Sequence, residues 1–187
     1  MNSIHLLPLG DVDRGIVESL QQPLSRVFRM PVLLKEANLP LDAFFDEARG
    51  QYNSTAMIQF LRNEQSALAR LHPGREGSHE RILMVFGSDL YIPVLTYVFG
   101  EAELGGRVAI VSYYRLRNEL YGLPLQRPLL LKRICKEALH ELGHTYGLTH
   151  CLLQDCVMHA STYVEDIDLK GDTFCPDCIA AVQNPRA

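Results

Sequence analysis

Residues 140–150 read HELGHTYGLTH. The fold must contain a helix that places the first two histidines of this stretch on one face. On a helix, His140 and His144 lie one turn apart on the same face. Their imidazoles can therefore reach one metal ion, at about 2.0–2.1 Å each for zinc. Glu141 is rotated from His140 by about 100° around the helix axis, which places its carboxylate beside the ion. We interpret Glu141 as the general base that takes a proton from a zinc-activated water.

The second half of the stretch supplies a third ligand. Gly147 can adopt a positive φ, end the helix and turn the chain back sharply. His150 can then approach the same metal from the other side. Three protein ligands leave a fourth position open, which is the requirement of a catalytic zinc site. The spacing therefore predicts a catalytic zinc held by His140, His144 and His150.

Four of the five cysteines follow directly, and the first 134 residues contain none. A CxxC pair bends around one metal ion, and a second, wider pair can close a tetrahedral shell of thiolates. Such a shell has no open position and suits a structural zinc. The four cysteines are Cys151, Cys156, Cys175 and Cys178.

Two other interpretations of the four cysteines remain open. The thiols could form disulfides, or Cys175 and Cys178 could form a redox pair through C-P-D-C. The lack of a secretory signal argues against disulfides, and no thioredoxin-like context precedes C-P-D-C, so metal is the favoured interpretation. The fifth cysteine, Cys135, lies on the apolar stripe of the preceding helix, which favours a buried, inert thiol.

Upstream of the motif, apolar periodicity and turn residues predict alternating strands and helices. In chain order we predict a strand at Ser3–Pro8, a helix at Val12–Phe28 capped by Asp11, a strand at Pro31–Glu36, a loop at Ala37–Asn53, a helix from Ser54 to about Leu71, a turn at His72–Ser78, a strand at Arg81–Phe86, a hairpin of Tyr97–Ala102 with Arg107–Tyr113, and a long helix from Pro128 to near Gly147.

This order is typical of an α/β domain with a mixed sheet. The residues after the long helix are cysteine-rich and, by pattern, irregular. We therefore divide the chain into an N-terminal sheet-and-helix subdomain, 1–147, and a small zinc-stabilised C-terminal subdomain, 148–187. Together they are expected to form one compact catalytic domain, since 187 residues suffice for one core.

Composition excludes several classes of protein. A net charge of −4 argues against a nucleic-acid binder. No run approaches the roughly 20 apolar residues of a membrane span. The first residues, MNSIHLLPLGDVD, lack the basic start of a secretory signal. We therefore expect a cytoplasmic monomer with no membrane and no nucleic-acid partner.

The run HELGHTYGLTHCLLQDCVM followed by CPDC resembles the archaemetzincin family of the metzincin clan of zinc peptidases. The resemblance is specific over residues 137–178. It is weaker upstream, in QYNSTAMIQFL and SDLYIPVLTYVFGEAEL. It implies a zincin-like, mixed, twisted five-stranded sheet with one antiparallel edge strand. The candidate for that edge is Leu95–Phe99, to which a peptide substrate could add as a further strand.

Carried over by position, the resemblance also implies roles for single residues. Met158 would be the Met-turn residue that packs beneath the three histidines. Glu141 would be the base, and two zinc ions would be bound, one catalytic and one structural. Their implied ligands are His140, His144 and His150 for the first and Cys151, Cys156, Cys175 and Cys178 for the second.

This pattern is compatible with two functions. The first is a zinc-dependent metallopeptidase that hydrolyses peptide or protein substrates. The alternative is a zinc-stabilised protein- or peptide-binding module with little or no catalysis. Glu141 favours the peptidase, because a purely structural site of three histidines needs no such carboxylate. Of the remaining candidates, His159 could line the cleft or assist an oxyanion, but we favour a surface histidine. Tyr163 could donate to a tetrahedral intermediate, but we favour a packing residue.

Overall fold

The computed structural model describes residues 2–36, 38–71 and 80–183. The predicted turn at residues 72–78 lies outside them. In chain order the elements are β1 (Ile4–Leu9), α1 (Arg14–Phe28), β2 (Val32–Leu34), β3 (Phe45–Asp46), β4 (Gln51–Asn53), α2 (Ser54–Leu71), β5 (Arg81–Phe86), β6 (Leu90–Ile92), β7 (Leu95–Val98), β8 (Gly100–Ala102), β9 (Val108–Ser112), α3 (Arg127–Thr145), α4 (Val164–Leu169) and α5 (Pro176–Gln183).

The larger sheet has the strand order β2-β1-β5-β9-β8. Its first four strands are parallel to one another, and β8 runs antiparallel to β9 at the edge. The prediction of a mixed five-stranded sheet with one antiparallel edge strand is confirmed.

Both faces of this sheet are buried, which explains the nearly continuous apolar runs of its strands. In β5, Leu83 and Val85 pack with residues of α1 and α3, whereas Ile82 and Met84 pack with residues of α2. The alternation of side chains along a strand thus divides the core between two layers. α3 packs on the same face of the sheet as α1, so the helix that carries His140 and His144 lies directly against the sheet.

The position predicted for the edge strand is wrong. Leu95–Val98 is β7 and pairs antiparallel with β6 in a second sheet, of order β3-β4-β6-β7. At Phe99 the chain passes from the second sheet to the larger one, where Gly100–Ala102 forms the edge strand. The residues from 95 to 102 form one extended run shared by two sheets, and apolar alternation does not mark where the chain changes partner.

The loop predicted at 37–53 is also only partly correct. It contains a 3-10 turn at Leu41–Phe44 and the short strands β3 and β4. Two- and three-residue strands are too short for a period to show, so the sequence pattern cannot reveal them.

Capping residues set where the first two helices begin. The side chain of Asp13, not of Asp11 as predicted, caps α1 by accepting from the N–H groups of Gly15 and Ile16. For α2, Asn53 Oδ1 accepts from Ala56 N at 3.1 Å. Both helices otherwise lie where apolar periodicity placed them.

The part of the chain after α3 is less irregular than predicted, because it contains α4 and α5. The carboxylate of Asp166 accepts from Thr162 N and Tyr163 N, both at 2.8 Å, and so caps α4. Val157, Ile167 and Val182 belong to the same hydrophobic cluster as α1 and α3. The division of the chain at residue 147 stays a prediction.

Candidate metal centre

The end of α3 is shaped by a glycine, as the motif predicts. Gly147 has a φ of 84°, and its N–H donates to His144 O at 2.9 Å, while Leu148 N donates to Gly143 O at 3.3 Å. This pair of hydrogen bonds is a Schellman motif, which ends a helix by a left-handed residue and reverses the chain. His150 is thereby returned towards the helix face that carries His140 and His144.

The three histidines converge. One ring nitrogen from each lies within 4.8 Å of the others, which is the spacing of donors around a single ion. The ring centroids of His140 and His150 are 5.3 Å apart, and those of His144 and His150 are 5.2 Å apart. Both helical histidines are anchored by neighbouring carbonyls, whereas His150 is exposed.

Hydrogen bonds settle which nitrogens point inward. His140 Nδ1 donates to Val157 O at 2.9 Å, and His144 Nδ1 donates to Leu148 O at 2.6 Å, because a carbonyl can only accept. In the neutral rings both Nε2 atoms therefore carry lone pairs. These two Nε2 atoms face each other at 3.1 Å with no proton to share. Two lone pairs at that distance repel unless a cation lies between or beside them, so the donor set fits a zinc ion.

Burial keeps these imidazoles in the form that binds metal. Desolvation lowers the pKa of His140 well below its ordinary value, and nearby Lys170 lowers it further. Desolvation also lowers the pKa of His144 and of His150. Neutral imidazole is the metal-binding form.

Glu141 is buried beside the histidines and lines the same cavity. Desolvation raises the pKa of its carboxyl well above the ordinary value, and the charges of Glu137 and Glu101 add to the effect. Lys170 opposes the shift. A carboxylate with a raised pKa is a better proton acceptor near neutral pH than an exposed one.

Met158 lies beneath α3, fully buried. It packs against Gly143, where a Cβ atom would collide with Met158 Sδ and approach Phe174 at 3.0 Å. Cys151 N donates to Met158 O at 2.9 Å, so the residue after His150 is tied to the same turn. The implied role of Met158 beneath the three histidines stays a prediction, with which this packing agrees.

The four C-terminal cysteines also converge, with their sulfur atoms all within 4.8 Å of one another. Cys151 Sγ and Cys175 Sγ are 4.0 Å apart, far beyond an S–S bond, and all five cysteines of the chain are free thiols. Four thiols clustered without disulfides suit a tetrahedral zinc. Cys135 lies apart from this cluster, half-buried in α3.

A cavity of about 770 Å³ opens over the histidines. One wall is the run from β7 through β8, and the other is the loop of residues 160–163. Tyr97 joins the two walls, since its hydroxyl donates to Thr162 O at 2.9 Å. The cavity provides the concave, largely apolar surface that a substrate site needs.

The profile of Peptidase family M54 matches residues 25–184. The chain belongs to this family. The archaemetzincin of Methanocaldococcus jannaschii is 37% identical over 181 residues, covering 97% of this chain and 93% of its own. That of Thermococcus kodakarensis is 49% identical over 183 residues, covering 95% and 94%. The predicted resemblance to archaemetzincins is confirmed, and this M54 chain is a zinc metallopeptidase, a hydrolase.

Solved structures agree with this assignment. A zinc-dependent peptidase from Methanocorpusculum labreanum superposes with a TM-score of 0.83 at 33% identity, covering 96% of this chain and 99% of that one. The archaemetzincin of Archaeoglobus fulgidus, complexed with malonate, gives 0.75 at 34% identity, covering 96% and 99%. Metalloproteinase-II from Bacteroides fragilis, at 11% identity and a TM-score of 0.51, shares the fold alone.

The structure brings the seven predicted metal ligands of this M54 peptidase together in two clusters, although their ligation of zinc stays a prediction. The minor predictions are corrected. Tyr163 does not pack inside, because it is 63% exposed and lines the cavity. His159 is half-buried, and its Nδ1 donates to Cys151 O at 3.0 Å.

Sequence reasoning missed Gly100, which packs against Glu141, and the pair of Lys170 and Glu137, of which Lys170 approaches His140. Glu137 is four residues before Glu141, and this helical spacing is a signal that could have found it. Lys170 and Gly100 lie far away in sequence and had no local signal. Among the described residues, none of the helices combines the length and apolar character that a membrane span needs.

Proposed function

We propose that this chain hydrolyses peptide bonds through a zinc ion held by His140, His144 and His150, with Glu141 as the general base. The observation that carries the proposal is the 3.1 Å approach of two imidazole Nε2 atoms whose Nδ1 protons are both committed to carbonyls. Two facing lone pairs of neutral imidazoles are stabilised by a cation, and the arrangement opens into a cavity that can admit a substrate.

Glu141 performs the proton transfers. A zinc ion bound at the histidines supplies a Lewis acid that polarises the scissile carbonyl and makes water more acidic. Glu141 accepts the proton of the attacking water and passes it to the nitrogen of the leaving amine. Its burial and raised pKa support this role, since an acceptor that must later act as an acid works best near the operating pH.

The free edge of β8 is the place for the substrate main chain. Ser112 N donates to Phe99 O, and Glu103 N donates to Val108 O, so residues 99, 101 and 103 direct their backbone groups towards β9. Gly100 and Ala102 therefore direct their N–H and C=O groups away from β9, and both line the cavity. An extended peptide can add to this edge and pass over the histidines.

A second zinc ion, bound by Cys151, Cys156, Cys175 and Cys178, has a structural role in the proposal. The sulfur cluster supports it, as does the direct succession of His150 and Cys151. Four thiolates leave no position for a substrate. Closing this shell fixes the chain on both sides of Met158 and so fixes the floor of the first site.

The finer predictions on the setting also belong to the proposal. We infer a cytoplasmic monomer that acts on peptides or proteins and uses neither a membrane nor a nucleic acid. Free thiols and the mild net charge of −4 support this inference. The rival function, a zinc-stabilised binding module without turnover, keeps the same metal sites and differs only in chemistry.

Turnover of a quenched-fluorescence peptide library separates the two functions. In zinc-loaded protein, Glu141→Gln should keep the metal content and lower kcat by about 10²–10⁴-fold, the usual worth of general acid–base catalysis. The control is Glu119→Gln, which removes the charge of an exposed carboxylate that does not line the cavity, and its kcat should match that of the wild type. Binding of peptides without cleavage by the wild type would favour the module, and full activity of Glu141→Gln would remove Glu141 as the base.

A further inference from the structure

We propose that Lys170 and Glu137 form a positioning pair for the active site, a role that rests on the proposed peptidase function. The pair connects the active-site helix to the Met-turn loop directly behind His140. Neither residue belongs to the HELGHTYGLTH motif or to the cysteine cluster.

The pair is buried at the site itself. Lys170 Nζ lies 2.7 Å from Glu137 Oε1, and the side chains are 0% and 4% exposed. The same ammonium donates to His159 O at 3.3 Å and lies 3.4 Å from His140 Nδ1, with no hydrogen bond there because that nitrogen donates its proton to Val157 O. One cation therefore contacts the α3 turn that carries Glu141, the first histidine and the residue after Met158.

Stability is a weak explanation for this pair. Taking two charges out of water is unfavourable, and a well-packed apolar pair of similar volume is commonly as stable or more stable. The contact is also poorly aligned, because Glu137 Oε1 accepts no hydrogen bond of good geometry despite the short distance. A costly and imperfect ion pair next to reacting groups points to a role in the reaction rather than in folding.

Lys170 is held from its backbone as well. Its N–H donates to Asp166 O, and its own carbonyl accepts from Lys136 Nζ at 2.6 Å. Lys136 Nζ also donates to Ile167 O at 2.7 Å, so one buried lysine of α3 caps the end of α4. The ammonium of Lys170 therefore projects from a fixed point, as a positioning residue must.

The consequence is control of orientation. The imidazole of His140 is fixed by Val157 O at one end of the Met-turn, and Lys170 fixes the other end at His159 O. Glu137, one helical turn before Glu141, holds the ammonium against α3. Outer partners of this kind typically change metal affinity or activity by about 10–100-fold when removed.

Removal of both charges together separates orientation from stability. Glu137→Gln with Lys170→Met approximately keeps the side-chain volumes and removes one positive and one negative charge together, so the double variant should remain folded. We expect both zinc ions to remain, KM to stay within about threefold, and kcat to fall by about tenfold or more. Zinc affinity at the histidines should fall similarly when measured by chelator competition. Cobalt substitution identifies the site, because thiolate ligands add strong charge-transfer absorption.

Asp168→Asn is the matched control. Asp168 pairs with buried Arg133, so this pair also joins α3 to the end of α4. Within the described residues, no hydrogen bond or ion pair joins the Asp168 carboxylate to the histidines or to Glu141. The control should lose stability and keep kcat. If the double variant unfolds, the kcat and zinc affinity of Glu137→Gln are compared with those of Asp168→Asn. The comparison takes into account how much each substitution lowers the melting temperature.

Each outcome is decisive. Wild-type kcat and zinc affinity in the folded double variant, or equal effects of Glu137→Gln and Asp168→Asn, would overturn the positioning role. An inactive wild-type protein would instead refute the proposed function. In that case the zinc affinity at the histidines still decides whether the pair orients His140.

Discussion

Gly100 on β8 and Glu141 on α3 pack against each other with no space for a side chain between them. A Cβ atom at Gly100 would lie 2.6 Å from Glu141 Cγ and 2.6 Å from Ile110 O. The carbonyl belongs to β9, next to β8 in the sheet ladder, and cannot yield easily. The glycine therefore sets the distance between the substrate edge and the proposed base.

Gly100→Ala should displace the Glu141 carboxylate without removing it. A misplacement of about 1 Å in a reacting group can lower the rate by about 10²-fold. We expect kcat to fall by about tenfold or more, while both zinc ions are retained, since the three atoms nearest to the added methyl group belong to Glu141 and Ile110 and not to a histidine. Steady-state kinetics with metal analysis checks this, and unchanged kcat would show that β8 can shift to accommodate the methyl group.

Gly143→Ala should destabilise the protein through Met158. Alanine gains about 1 kcal/mol over glycine in a helix, but the added methyl group collides with Met158 Sδ. Overpacking of a core typically costs about 1–3 kcal/mol, so the net free energy of unfolding should fall. Urea unfolding of zinc-loaded protein measures it. A more stable variant would mean that the Met-turn is loosely packed.

Zinc binding at the histidines should resist moderate acid. Protons compete with zinc only where the imidazoles of the zinc-free protein titrate, and burial lowers their pKa below 6.5. The affinity should therefore be constant from about pH 8 to about pH 6.5 and fall only at lower pH. Chelator competition across this range tests it, and a decline that begins above pH 6.5 would contradict the lowered pKa values.

The same shifts fix the sign for folding without metal. Below pH 6.5 the histidines of the unfolded chain bind protons, whereas the buried histidines of the folded chain stay neutral to lower pH. The free energy of unfolding should therefore decrease as pH falls. Glu141 acts in the opposite sense. Its raised pKa means that the folded carboxyl retains a proton that the unfolded one releases, so it destabilises the fold as pH rises above 4.5.

The five cysteines should differ in their reaction with iodoacetamide. Burial raises the pKa of the Cys135 thiol to about 11 from 9.0, so its thiolate fraction at neutral pH is about 100-fold below that of an ordinary thiol. After removal of zinc, Cys175 should react first, because hydrogen bonds to its sulfur lower its pKa. Peptide mapping gives the order, and early labelling of Cys135 would contradict its inert role.

Local spacing explains why the histidine site was predictable. His140, His144 and Gly147 act through one helical turn and one helix end, and both geometries are set within eight residues. Short-range patterns also placed α1, α2 and β5. The same patterns failed at β3 and β4, which are too short to show a period, and at the edge strand, because strand partners are chosen by contacts distant in sequence.

The amino-acid sequence alone determined the chemistry of this peptidase: which side chains could bind metal, which carboxylate could accept a proton, and where the helix that carries them must end. Only the tertiary structure decided what surrounds that chemistry. The contact of Gly100 with Glu141 and the buried pair of Lys170 and Glu137 join residues more than thirty positions apart. Chain packing creates such contacts, and no local periodicity encodes them.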